Sequence, residues 1–198
     1  MSFAEMLQSE FRDLRLHVSS LSLQKLTLYA NEIERWNKSV NLTSLRGNAL
    51  VRRLIVDPVW VGHHLEMSGT MSDVGSGNGS PGIPLCITRT FSSAHLIEPR
   101  MKRAAFLRHI VAKAGLEGVA VDKCRVEEIP AKALHSDWIT LQAIGPTAEL
   151  IEALRGIGAE TTRVVWITSI STPPVAGAEL HEIPGSGTKI WVFRLDQI

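Results

Sequence analysis

Residues 73–85 read DVGSGNGSPGIPL, and what the glycines at 75, 77, 79 and 82 accommodate decides the fold. Glycine lets a backbone turn tightly, adopt positive φ and approach a ligand with no Cβ in the way. Gly75, Gly77 and Gly79 fit the D-x-G-x-G-x-G turn that holds S-adenosylmethionine. Gly77, Gly79 and Gly82 fit the G-x-G-x-x-G turn that holds a dinucleotide pyrophosphate. Asp73 separates the two readings. It ends a strand candidate and aims at the crevice that the glycines line, where a carboxylate about 5 Å from a phosphate costs roughly 3 kcal/mol at an effective dielectric of about 20. The same charge attracts the ammonium and sulfonium of S-adenosylmethionine. Pro81 suits the first position of a helix, which makes Gly82 the second residue of a helix whose start faces the crevice. The methyl-donor reading prevails.

Outward from this turn the chain changes rhythm. Strand candidates at 70–74, 94–98, 118–122, 137–141 and 163–167 alternate with helical stretches at 81–90, 100–114, about 126–134 and 146–157. That alternation implies βαβ units and a parallel sheet covered on both faces. The end differs: AELHEI and KIWVFRL, joined across PGSG, read as an antiparallel hairpin. Residues 1–65 read as a helical lobe instead. Ser22 is placed to cap LQKLTLYANEIERWN, Asn48 to cap ALVRRLIV, and Asp57-Pro58 marks a helix restart. The expected fold is therefore a Rossmann-like α/β core over 66–198 with an N-terminal helical lobe, one domain over 1–198.

Composition sets outer bounds. A chain of 198 residues with 44% hydrophobic and 21% charged residues suits one globular domain. The start lacks a signal-peptide pattern and no apolar run approaches a membrane span, from which a cytoplasmic location is expected. The two cysteines, Cys86 and Cys124, read as small core residues. His63-His64 has no acid or cysteine partners at metal-ligand spacing, so no metal is expected. A net charge of +1 neither requires nor forbids a nucleic-acid partner, so any such surface must come from uneven charge distribution.

Two further strand ends bear on the crevice. Glu98 closes the second strand, where a carboxylate can take both ribose hydroxyls of an adenosine. The stretch CRVEEI after the third strand offers backbone N–H groups of Arg125, Val126 and Glu127 to an adenine edge. On the helix over 100–114, Phe106, Leu107, Ile110 and Val111 share the face that lies on the sheet, while Lys102, Arg108, His109 and Lys113 fall on the other side. Arg103 shares the apolar side but sits in the first turn, where it projects past the carboxyl edge of the sheet.

WNKSVNLT (36–43), DVGSGNGSPGIPL (73–85), EPRMKRAAFL (98–107), CRVEE (124–128) and DWITLQA (137–143) occur in one order. On these motifs the chain resembles the bacterial 16S ribosomal RNA guanine-N7 methyltransferases, also called glucose-inhibited division protein B, over roughly residues 20–195. The resemblance implies a class I S-adenosylmethionine-dependent methyltransferase fold with a mostly parallel sheet, and a monomer acting on small-subunit ribosomal RNA. Donor contacts are then expected from Asp73, Gly75, Ser76, Gly77, Gly79, Glu98, Arg125, Val126, Glu127 and Gln142. RNA contacts are expected from Asn41, Arg52, Arg53, Lys102 and Arg103. Guanine N7 carries a free lone pair, so catalysis needs positioning and no general base. The chain departs from the family on the acceptor side, with Gln142 where an arginine is usual, Arg53 for a histidine, and Ser80 for a phenylalanine. Two other functions stand against this one: a relative that binds the donor but serves another acceptor, and an NAD-dependent oxidoreductase.

Overall fold

A computed structural model describes residues 1–145 and 147–197. The strands are β1 (Gly69–Val74), β2 (Phe91–Ile97), β3 (Val119–Asp122), β4 (Ser136–Gln142), β5 (Gly158–Thr168), β6 (Glu179–Glu182) and β7 (Lys189–Arg194). They form one sheet in the order β3-β2-β1-β4-β5-β7-β6. The first five run parallel, and β7 enters antiparallel between β5 and β6. The expected α/β class and the closing hairpin are both present. Met71, Ser72, Asp73 and Val74 of β1 are all buried, as befits a central strand covered on both faces.

The helices are α1 (Phe3–Asp13), α2 (Ser20–Trp36), α3 (Gly47–Val51), α4 (Asp57–His64), α5 (Gly82–Thr88), α6 (Met101–Lys113) and α7 (Ala148–Ile157). A π-turn over Arg52–Val56 joins α3 to α4. Leu26, Tyr29, Ala30 and Ile33 of α2 share a core with Ile83 of α5, Leu96 of β2 and Phe106, Leu107 and Ile110 of α6. Leu150, Leu154 and Ile157 of α7 cover the opposite face with Ile139, Val164 and Phe193.

Several boundaries differ from the sequence reading. Ser19 caps α2 by accepting from Ser22 N–H at 3.0 Å, so Ser22 lies inside the helix. Arg46 takes the cap position of α3, ahead of Asn48. Pro81 is the cap residue of α5, and Gly82 its first residue. The helix expected over 126–134 is only a 3-10 turn, Val126–Glu128. Pro130 explains it: the residue before a proline is driven out of the helical region, and Ile129 is extended at φ −77°, ψ 124°. The stretch 146–157 is helical from Ala148, and Pro146 lies outside the described residues.

His109 and Lys113 do not face solvent freely. Both reach back to Glu32 of α2, at 2.9 and 2.6 Å. Burial pushes the Glu32 carboxyl up, but hydrogen bonds from Lys113 and His109 and the charge of Arg35 outweigh it, and the net shift is downward. This cluster ties α2 to α6 beside the crevice.

A second cluster ties the lobe to the far end of the chain. Arg52 donates to Asp57 Oδ1 at 2.9 Å and to Glu10 Oε2 at 2.6 Å, and a third donor meets the Pro184 carbonyl at 2.5 Å. Ser186 and Thr188 hydroxyls, each at 2.9 Å, donate to Asp57 Oδ2. Asp57 is fully buried. These contacts correct the expectation that Arg52 engages RNA, because its guanidinium fork is already filled by two carboxylates and a carbonyl.

Candidate active site

Sheet order locates the site. From β1 the chain runs outward to β2 and β3, whereas β4 and β5 lie on the other side, so the strand order reverses between β1 and β4. Crevices at such switch points, outside the carboxyl ends of the strands, are where open α/β sheets bind ligands. A cavity of about 600 Å³ opens there, walled by Gly75–Ser80 after β1, Glu98–Arg100 after β2, Gln142–Ile144 after β4, and Leu42–Leu45 with Arg53 from the helical lobe.

The turn after β1 is held by its own backbone. Gly75 and Ser76 N–H donate to the Ile97 carbonyl at 2.9 and 3.0 Å, and Gly79 N–H to the Ser76 carbonyl. Glu98 closes it from β2: Oε2 accepts from Gly77 N–H at 2.9 Å and Oε1 from Arg100 N–H at 2.8 Å. From below, the buried Tyr29 hydroxyl donates to the Asn78 carbonyl at 3.0 Å. Gly75 is required at its position: its φ is +71°, and a Cβ there would collide with Ile144 Cδ1. Ile144 is itself held, since Trp166 Nε1–H donates to its carbonyl at 2.8 Å. Glycine thus lets Ile144 pack directly against the turn after β1.

Asp73 is placed differently from the expectation. Its side chain is fully buried beneath the turn and does not line the cavity. Oδ1 accepts from the Thr140 hydroxyl at 2.7 Å and Oδ2 from Gly82 N–H at 3.3 Å, so it fastens α5 to β4. Only glycine permits this approach, because a Cβ at 82 would lie 2.6 Å from Oδ2. Burial pushes the Asp73 carboxyl up to about 6 against these hydrogen bonds, and the charge of Glu98 adds to the rise.

Of the other residues singled out from sequence, Gly75, Ser76, Gly77, Glu98, Gln142, Arg53 and Arg103 line the cavity, and Gly79 sits in its turn against Tyr29 and Ile83. Arg125, Val126 and Glu127 are not brought to it. Val126 is turned into the core against α7, and Arg125 N–H is taken by Glu128 at 3.0 Å. Lys102 is exposed on α6 outside the cavity. Asn41 contributes its carbonyl, which accepts from Arg103 at 3.2 Å, while its side chain lies outside.

Arg100 and the loop Leu42–Leu45 line the cavity but escaped the sequence reading, and Ser80, seen there only as a departure, lines it too. Arg100 follows the Glu98-Pro99 step, in the same basic stretch that pointed to Lys102 and Arg103. The loop Leu42–Leu45 owes its shape to Asn37, whose Oδ1 accepts from Leu42 and Thr43 N–H and whose Nδ2–H donates to the Thr43 carbonyl. Ser80 donates to Gln142 Oε1 at 2.8 Å across the crevice. Together Arg53, Arg100 and Arg103 face one lining acid, Glu98, so the cavity mouth is cationic although the whole chain carries only +1. Among the described residues no group of three or more histidines, cysteines or acids is placed to hold a metal ion, and no helix is long and apolar enough to cross a membrane.

Comparison with known proteins agrees with this geometry. The family described as rRNA small subunit methyltransferase G matches residues 22–171. A ribosomal RNA small subunit methyltransferase G from Neisseria meningitidis serogroup B is 32% identical over 148 residues, covering 74% of this chain and 70% of that protein. One from Halorhodospira halophila is 32% identical over 154 residues, covering 76% and 71%. Among solved structures, a putative methyltransferase from Escherichia coli superposes with a TM-score of 0.57 at 16% identity, covering 77% of this chain and 89% of that one. That likeness extends to the fold, a class I methyltransferase core. On the match over 22–171 and the identity with these relatives, the chain belongs to the rRNA small subunit methyltransferase G family.

Proposed function

We propose that this protein transfers a methyl group from S-adenosylmethionine to guanine N7 of small-subunit ribosomal RNA, as a cytoplasmic monomer whose helical lobe and sheet act as one domain. The observation that carries the reading is the cavity at the β1/β4 switch point, where a glycine turn, Glu98 and three arginines converge. The residues fit the donor. Gly77, at φ +55°, leaves free the space beside Arg103 and Glu98 that a Cβ would enter. Glu98 has carboxylate lone pairs left beyond its two backbone contacts. When bound, S-adenosylmethionine supplies a sulfonium-activated methyl carbon, which the N7 lone pair takes as the C–S electron pair leaves onto sulfur. N7 has no proton to lose, so the transfer needs no general base.

The protein's part is placement. The glycine turn and Glu98 hold the donor side, and the 142–144 segment pinned by Trp166 forms the facing wall. Arg53, Arg100 and Arg103 neutralise phosphate at the mouth. Holding the reacting atoms at near-attack distance can supply about 7–11 kcal/mol of the barrier. The test is transfer of labelled methyl to small subunits from cells lacking the modification, at two salt concentrations. Transfer whose KM for RNA rises steeply with salt is expected; no transfer overturns the reading.

A further inference from the structure

Ser80 and Gln142 stand on opposite walls of the cavity, one in the turn after β1 and the other at the end of β4. Ser80 is only 5% exposed, and its N–H donates to Asn78 Oδ1 at 3.0 Å, which fixes the backbone from which its hydroxyl projects. That hydroxyl donates to Gln142 Oε1 at 2.8 Å. A glutamine amide has one acceptor end and one donor end. With Oε1 taken, Nε2 is turned away from Ser80, makes no hydrogen bond among the described residues, and is not sealed from solvent. The cavity therefore presents a neutral amide whose two N–H donors are free to meet what enters.

Resting on the proposed transfer to guanine, we infer that Ser80 is a positioning residue that fixes the Gln142 amide with its donor end toward the acceptor base, so that Gln142 reads guanine O6. Guanine presents O6 and N7 on one edge, both acceptors, whereas adenine presents N7 beside an N6 amino donor. A donor on O6 holds guanine and leaves the N7 lone pair open for the methyl. Adenine in the same pose sets amino group against amide donor. The neutral amide also adds no positive charge beside a base that becomes cationic on methylation. Arg53, Arg100 and Arg103 already supply the charge for phosphate, so Gln142 is left to discriminate bases.

The test is a double-mutant cycle on methyl transfer to undermethylated small subunits, with KM measured for both RNA and donor. Gln142→Glu replaces the donor end with an acceptor facing O6 and should lower kcat/KM for the subunit about 100-fold. Ser80→Ala frees the amide to turn over and should lower it about 10-fold. The double variant should be no worse than Gln142→Glu alone, because Ser80 acts only through Gln142. KM for S-adenosylmethionine should stay within about twofold of the unaltered protein in every variant, as expected for groups that act on the RNA side alone. Losses that multiply in the double variant overturn the assignment. So does a rise in donor KM or loss of donor binding, which would make the pair a tie within the donor turn. An unaltered protein that transfers no methyl overturns the methyltransfer reading itself, and that is read before any variant is made.

Discussion

Removing the Arg52 guanidinium should destabilise the fold, because this side chain is committed to a buried ion cluster and not to RNA. Asp57 is fully buried and Arg52 is the one cation that meets it among the described residues, with Glu10 as the second carboxylate on the same fork. Breaking a buried pair by deleting one partner typically costs about 3–5 kcal/mol, because the remaining charge is left uncompensated. For a chain of this size each kcal/mol lowers the melting temperature by about 2–4 °C, so Arg52→Met should melt about 6–20 °C below the unaltered protein. Thermal and urea unfolding at neutral pH measure this directly. Arg52→Met/Asp57→Asn should recover part of the loss, since the stranded charge is gone while the Ser186 and Thr188 hydroxyls keep an acceptor. Arg52→Lys should recover little, because one ammonium cannot span two carboxylates and a carbonyl. A melting temperature within 2 °C of the parent, or a salt slope of RNA binding that falls while stability holds, would refute the structural role and return Arg52 to the acceptor surface.

Three further outcomes follow from the site. Gly75→Ala brings a Cβ onto Ile144 at positive φ and should weaken donor affinity at least about tenfold by calorimetry, with Gly75→Ala/Ile144→Ala recovering only the steric part. Tyr29→Phe removes the prop under Asn78 and should cost about 1 kcal/mol in urea unfolding, with a matching weakening of donor binding. The Asp73 carboxyl, pushed up to about 6, binds its proton more tightly folded than unfolded. Its contribution to stability is thus full below about pH 4, the ordinary aspartate value, and is lost as pH rises through about 6. Carbon NMR of that carboxyl should inflect near the upper end of this window, and an inflection below 4 would refute the burial argument.

The motif DVGSGNGSPGIPL and the alternation after residue 70 are enough to place a glycine turn at the carboxyl edge of a parallel sheet. Gly75, Gly77 and Glu98 can be brought to one crevice from sequence because they follow strands that pair as neighbours. What could not be read depends on contacts between distant segments. Asp73 and Arg52 look like free charges in sequence, and only the fold shows each one filled, by Thr140 and Gly82 or by Glu10, Asp57 and Pro184. Val126 carries no local sign that it turns into the core. Ser80 and Gln142 were each visible as departures, but their pairing follows only once β4 is known to lie beside β1.

The hairpin turn over 184–188 closes on Asp57, and this sets an order on synthesis. A nascent chain emerging from the ribosome can pair Arg52 with Glu10 and Asp57 early. Pro184, Ser186 and Thr188 arrive only after β1 to β5 have been made. Until then the carboxylate of Asp57 lacks two of its three donors, and β5 lacks its antiparallel neighbour. The helical lobe is therefore completed by the β6–β7 hairpin, so polypeptides cut short before it should remain open to proteolysis in both halves.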